Sequence, residues 1–171
     1  MTQSAPTVRI RRVRPTDQEE LAAFYAGLSP TGRRLRFFAA TRGISEGQST
    51  RFCTPDHHHR EGFVAECAGS PSDGPRIVGH LCLEPAADGS AEVAIAVADE
   101  LQRRGIGRRL LAAGLEWARN EGIARLSATM LDANFPIYRL LTSLGLPYRC
   151  QRLASSEINM TIELMAQRIA A

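Results

Sequence analysis

The spacing of apolar residues changes period along the chain, and each change predicts a change of element. Val8-Arg9-Ile10-Arg11-Arg12-Val13-Arg14 alternates at roughly period two, which predicts a half-buried strand ended by Pro15. Thr16-Asp17-Gln18-Glu19 has capping-box spacing, and Leu21, Phe24 and Leu28 then recur at helical intervals, predicting a helix to about Ala26. Ser29-Pro30 places a cap and a first-turn proline ahead of a second short helix, Thr31–Phe38; a third runs from Ser45 to about Phe52. Glu61–Cys67, Arg76–Glu84 and the apolar run Ala91–Ala98 read as an antiparallel meander. Their connections, Ala68–Pro75 and Pro85–Ser90, are dense in turn formers. The second half alternates: helix Arg104–Asn120 stopped by Gly122, strand Ile123–Met130, helix Asn134–Leu144 stopped by Gly145, then strands Tyr148–Leu153 and Asn159–Leu164. This order predicts one α/β layered domain over 8–164, with a disordered tail over 1–7 and another over 165–171.

Composition changes this picture little. Of 171 residues, 44% are hydrophobic and 23% charged, which is the globular range. No apolar run approaches spanning length, and MTQSAPTVRIRRVRP has no signal-peptide core, so the expectation is a cytoplasmic protein with no membrane partner. All 21 basic residues are arginine, so the chain has no side-chain amine for acyl chemistry to modify. The four cysteines lack C-x-x-C spacing and read as reduced, buried small residues. His57-His58-His59 beside Asp56 suggests a metal, but adjacent residues cannot converge on one ion; a solvated loop is the better account, and no metal is expected. His80 reads as a polar residue on a sheet face. The Arg9–Arg14 run reads as a solvated strand edge, because a net charge of +3 is too mild for a nucleic-acid partner.

The chemistry concentrates in AEVAIAVADELQRRGIGRRLLAAGLEWARN, Ala91–Asn120. A strand, a glycine loop and a helix N-terminus can hold a pyrophosphate on backbone amides. Gly105 and Gly107 leave those amides unobstructed, and Arg103, Arg104, Arg108 and Arg109 surround them with positive charge. The G-x-G-x-x-G dinucleotide fingerprint fails at Leu110, and a P-loop fails for want of lysine.

Gln102-Arg103-Arg104-Gly105-Ile106-Gly107 resembles the Q/R-x-x-G-x-G signature of the GNAT acetyltransferases. Asn134 and Gly145 resemble the later N-(x10)-G segment, and Leu28-Ser29-Pro30-Thr31-Gly32-Arg33-Arg34-Leu35-Arg36-Phe37-Phe38 resembles the L-S-P-x-S-R-x-x-R-F-F segment of bacterial Pat-type protein lysine acetyltransferases, with Gly32 in place of the usual serine. The resemblance implies a mixed α/β (α+β) fold: a central, predominantly antiparallel sheet of about six or seven strands flanked by helices. It implies acetyl-CoA as co-substrate, with Arg103, Arg104, Gly105, Ile106, Gly107 and Arg108 around the pyrophosphate. Ile95, Ala96 and Val97 would lie along the pantetheine, and Asn134 would touch the coenzyme.

By the same resemblance Glu92 is the general base, taking a proton from the attacking ammonium. It shares a strand face with Ala94 and Ala96, which suits either a substrate site or an ordinary exposed face. Leu141 stands where many members carry a tyrosine, and Tyr138, one turn earlier, is the nearest candidate acid. Direct transfer in a ternary complex follows, with the Val97 amide polarising the thioester carbonyl. Nothing near Cys67 or Cys82 in sequence lowers a thiol pKa, so no covalent intermediate is called for. The first-choice acceptor is a protein lysine; a small-molecule amine, or an acyl-CoA sensor without turnover, are the alternatives. The protein would be a monomer or homodimer.

Overall fold

The computed structural model describes residues 7–68, 74–153 and 156–164. The tails expected over 1–7 and 165–171 lie outside these residues apart from Thr7, as does most of the Ala68–Pro75 connection. The elements run β1 (Val8–Arg12), α1 (Gln18–Gly27), α2 (Pro30–Phe37), α3 (Glu46–Cys53), β2 (Glu61–Cys67), β3 (Arg76–Pro85), β4 (Ala91–Val97), α4 (Ile106–Asn120), β5 (Arg125–Leu131), α5 (Phe135–Thr142), β6 (Tyr148–Arg152) and β7 (Glu157–Glu163).

One seven-stranded sheet has the order β1-β2-β3-β4-β5-β7-β6. Every neighbouring pair is antiparallel except β4–β5, which is parallel. That parallel ladder is short: only Ala91↔Leu126 and Glu92↔Ser127 pair, although each strand has seven residues. Beyond Glu92 the two strands diverge, opening a V in the middle of the sheet. Ala94, Ile95, Ala96 and Val97 are half-exposed there, where a central strand would ordinarily be covered.

Helix α4 packs on one face of β2–β4 through Ile106, Leu110, Leu111, Leu115 and Trp117, all buried. Gly114 permits the approach: a Cβ there would sit 3.0 Å from the Leu81 side chain. Helices α1–α3 cover the other face, with Leu21, Phe24, Tyr25 and Cys53 buried beneath them.

The expected elements are present with shifted ends. Helix α1 starts at Gln18, one residue later than a cap at Thr16 predicts, because Pro15–Asp17 forms a 3-10 turn. Asp17 takes the N-cap position of α1 without a side-chain bond to that helix; its carboxylate turns back to accept the Arg14 N–H at 2.8 Å and two bonds from Arg11 at 2.7 and 2.9 Å. Although burial alone raises its pKa, those partners hold Asp17 below its ordinary value. The Ser29 cap forms as predicted, accepting from Gly32, and Ser45 caps α3 rather than beginning it, accepting from Gln48. Two members of the Arg9–Arg14 run are committed to acids, Arg11 to Asp17 and Glu66 and Arg12 to Glu61. The histidine run is a loop in which Asp56 Oδ1 accepts the N–H groups of His58, His59 and Arg60. Among the described residues, no group of three or more His, Cys, Asp or Glu is placed to hold a metal ion. No helix among them is long and apolar enough to cross a membrane.

Candidate active site

The site gathers at the open end of the V, where β4 feeds α4 and β5 feeds α5. Backbone conformation explains the loop between β4 and α4. Gly105 caps α4 at φ 82°, and Arg103 is also left-handed at φ 58°. A β-carbon is costly in that region, so the second turn of the loop requires glycine, while Arg103 carries strain at a binding loop. Helix α4 therefore starts at Ile106 rather than at Arg104, and its first N–H groups face out of the loop without a side-chain cap. Gly107 lies where a Cβ would be 3.3 Å from Leu140 of α5 and 3.8 Å from both Ile95 and Val97. The first turn of α4 is thus wedged between the two arms of the V. Arg103, Arg104, Arg108 and Arg109 are exposed and make no ion pair among the described residues, leaving an anion-attracting rim. Ile106 differs from its neighbours: its side chain is 4% exposed and anchors the loop in the core, so only its backbone can serve a ligand.

Strand geometry decides which β4 groups face the opening. The Ala98 N–H donates to the Val78 carbonyl at 2.9 Å, toward β3. Alternation along the strand sends the Ile95 and Val97 amides to the other edge, where β5 has diverged. Gln102 Nε2 donates to the Val97 carbonyl at 3.2 Å and fixes that edge. Across the opening, Asn134 precedes α5; its Oδ1 accepts the Ile137 N–H at 3.4 Å, and its amide nitrogen has no partner among the described residues.

The β3–β4 face toward α1–α3 carries the other candidates. The register sets His80 opposite Ala96, Cys82 opposite Ala94 and Glu84 opposite Glu92. Glu84 is bound by Arg51 at 2.7 Å, whereas Glu92 is exposed and unpaired among the described residues. Beside them lies a buried polar group that the periodic pattern did not reveal. Tyr25 Oη and His80 Nδ1 are 2.8 Å apart, and the Arg36 guanidinium stacks 4.9 Å from the Phe37 ring centre and donates to Cys82 Sγ at 3.3 Å. Burial and then the Arg36 charge push His80 down to about 3, so it is neutral. Burial pushes Tyr25 up to about 12. It also raises the Cys82 thiol, Arg36 offsetting only part, so Cys82 has the character of a buried thiol rather than a nucleophile. The signal for this cluster was present only as an arginine, a tyrosine and a histidine far apart in sequence.

Tyr138 Oη lies 3.3 Å from Tyr148 Oη of β6, and this hydrogen bond raises its pKa. Two residues are about 200° on a helix, so Tyr138 faces away from the side on which Leu140 meets Gly107. Leu141 is buried in the core.

A mixed sheet split at one parallel junction, with a left-handed glycine loop at a helix N-terminus beside the split, defines a site for an anionic, extended ligand. A sequence profile described as the acetyltransferase (GNAT) family matches residues 33–146. The chain belongs to that family, and is an acetyl-CoA-dependent N-acetyltransferase. The GNAT domain of Pat from S. lividans superposes with a TM-score of 0.79 at 26% identity, covering 93% of this chain and 96% of that one. The yncA protein of Salmonella typhimurium, described with acetyl-CoA as its cofactor, gives 0.72 at 18% identity over 94% and 96%. The ribosomal-protein-S18-alanine N-acetyltransferase of Escherichia coli gives 0.66 at 19% over 96% and 99%.

Proposed function

We propose that the chain transfers the acetyl group of acetyl-CoA to a protein lysine by direct attack in a ternary complex, with Glu92 as general base. The observation that carries this reading is the contrast between two facing carboxylates. Glu84 is neutralised by Arg51, and Glu92 is left free on an exposed face beside Ala94. One uncompensated carboxylate on an open surface suits a single presented ammonium better than a polyamine, which would call for several. The likeness to the S. lividans Pat domain supports the same acceptor class.

The pyrophosphate would rest on the amides of Gly105, Ile106 and Gly107, with Arg103, Arg104 and Arg108 at its rim. The pantetheine would run along Ile95, Ala96 and Val97 in place of the missing β5 ladder, and the free amide of Asn134 would reach it from the opposite arm. Glu92 takes the ammonium proton, the amine nitrogen attacks the thioester carbon, and the Val97 N–H steadies the oxygen as the C–S bond breaks. The thiolate leaves without a tyrosine: Leu141 is apolar, and a thiol is acidic enough to depart as the anion and then take up the second proton, shed by the nitrogen as it becomes the amide.

Thiol release from acetyl-CoA, measured against lysine-bearing proteins and small amines, tests this reading. Turnover with a protein acceptor, reduced on the order of 100-fold or more in Glu92→Gln with the acetyl-CoA KM little changed, is expected. Full activity in Glu92→Gln removes the base assignment. Turnover confined to small amines moves the acceptor, and coenzyme binding without release of thiol from any amine identifies a sensor.

A further inference from the structure

We infer that Asp99 is a positioning residue that couples the coenzyme loop to helix α2, and through it to the acceptor face; this rests on the coenzyme site proposed above. Asp99 opens the short 3-10 turn, Asp99–Leu101, between β4 and the glycine loop. Its backbone belongs to the loop, since the Gln102 N–H donates to its carbonyl at 3.4 Å while the Gln102 side chain holds the Val97 carbonyl. Its carboxylate reaches 70 residues back in sequence. Oδ2 accepts the Ser29 N–H at 2.9 Å, and Oδ1 accepts the Ser29 hydroxyl at 2.8 Å.

That hydroxyl also caps α2, accepting the Gly32 N–H at 3.0 Å. The proton given to Asp99 leaves the oxygen lone pairs for the helix, so bridge and cap reinforce one another. The acid packs on the first turn closely enough that a Cβ at Gly32 would lie 3.3 Å from Asp99 Oδ1. A carboxylate at that end is also favoured by the helix dipole.

Arg33, bonded to the Thr41, Ala26 and Leu28 carbonyls, and Arg36, bonded to Cys82, also hold α2. Among the described residues, however, it is Asp99 whose hydrogen bonds tie the helix to the glycine loop. None of its residues, Pro30–Phe37, is fully buried, so apolar packing alone does not fix its place. Yet it lies against both β4 and β5, on the acceptor side of the V. Its far end sets Arg36 on Cys82, opposite Ala94 and next along the strand face to Glu84. A ligand that orders the glycine loop fixes Asp99, Asp99 fixes Ser29, and the helix that walls the acceptor face is fixed in turn. The two sites are thereby coupled through one short hydrogen-bonded path.

Hydrogen exchange of the whole protein with and without free coenzyme A tests this. In the wild type, coenzyme A is expected to slow exchange at least fivefold both in the 102–109 loop and in residues 29–36. In Asp99→Ala, where Ser29 still caps α2, the loop remains protected but exchange in 29–36 becomes indifferent to coenzyme A. Ser29→Thr, which keeps the hydroxyl, behaves like the wild type. Retained coenzyme protection of 29–36 in Asp99→Ala, or its absence in a wild type whose loop is protected, overturns the coupling. A wild-type loop that gains no protection overturns the coenzyme site itself.

Discussion

At the scale of single residues, the molecule separates two kinds of ionisable group on one strand face. Glu92 is exposed and unpaired among the described residues; His80, four registers along on β3 and β4 and opposite Ala96, is wholly buried and kept neutral by that burial and by the Arg36 charge. The second has a thermodynamic consequence. The folded value of His80, about 3, lies below its ordinary 6.5. Above pH 6.5 the ring is neutral in both states. As pH falls, the unfolded chain binds a proton that the folded chain refuses, and stability declines by about 1.4 kcal/mol per pH unit until pH nears 3. Asp17 acts in the same direction, but only below its ordinary 3.8. Melting between pH 6.5 and about 4.5 therefore isolates His80, and the wild-type Tm should fall by roughly 5–10 °C over that window. His80→Gln should flatten the profile; a flat wild-type profile would contradict the assignment. The face on which Glu92 sits was legible, because strand alternation alone places it with Ala94 and Ala96. The burial of His80 was not, since its cover comes from Tyr25, 55 residues away.

At the scale of elements, sequence spacing located nearly every helix and strand but misjudged where helices begin. A helix start depends on which side chain reaches the free N–H groups, and that is a tertiary matter. Thr16 has the right spacing, yet it is taken into the 3-10 turn Pro15–Asp17, where the Asp17 carboxylate, held by Arg11, accepts the N–H of Arg14. Arg104 reads as helical, yet the left-handed Gly105 delays α4 to Ile106. The same conformation yields a prediction. Gly105→Ala forces a β-carbon into φ 82°, at a cost of about 1–2 kcal/mol. Calorimetric titration should show coenzyme A affinity reduced roughly 5- to 30-fold if the strain is relieved by rearranging the loop, with thermal stability otherwise nearly unchanged. A fully retained affinity would show that the loop conformation is not needed for the ligand. Strand order shows a further limit of sequence pattern: β7 enters between β5 and β6, and nothing in the spacing of Tyr148–Glu163 announces that crossing.

At the scale of the whole molecule, the sheet is two antiparallel ladders, β1–β4 and β5–β7–β6, joined by the two residue pairs of the β4–β5 junction. A ligand lying in the V would touch both. Coenzyme A at 100 times its Kd should stabilise the protein by about 2.7 kcal/mol, raising Tm by roughly 5–10 °C; a Tm indifferent to coenzyme A would argue against the site. The family was legible because short continuous segments carry it, Gln102–Gly107 together with Leu28–Phe38 and the Asn134–Gly145 spacing. The V was not, because divergence is a property of two strands whose pairing stops early, and no residue type marks the stopping point.

The early end of that pairing also bears on how the chain is put together. Everything up to Gly122 forms one ladder with its helices, and everything from Arg125 forms another, with the exposed turn at Glu121-Gly122 between them. Within the ladders the hairpin neighbours β2–β3, β3–β4 and β6–β7 close cheaply, while β1 and β7 reach further along the chain to β2 and β5. Their union rests on two residue pairs, fewer than any other neighbouring strands in the sheet share, and it is the seam at which the proposed coenzyme cleft lies. Local opening of the sheet would therefore start at its proposed active site, the seam held by the fewest backbone bonds.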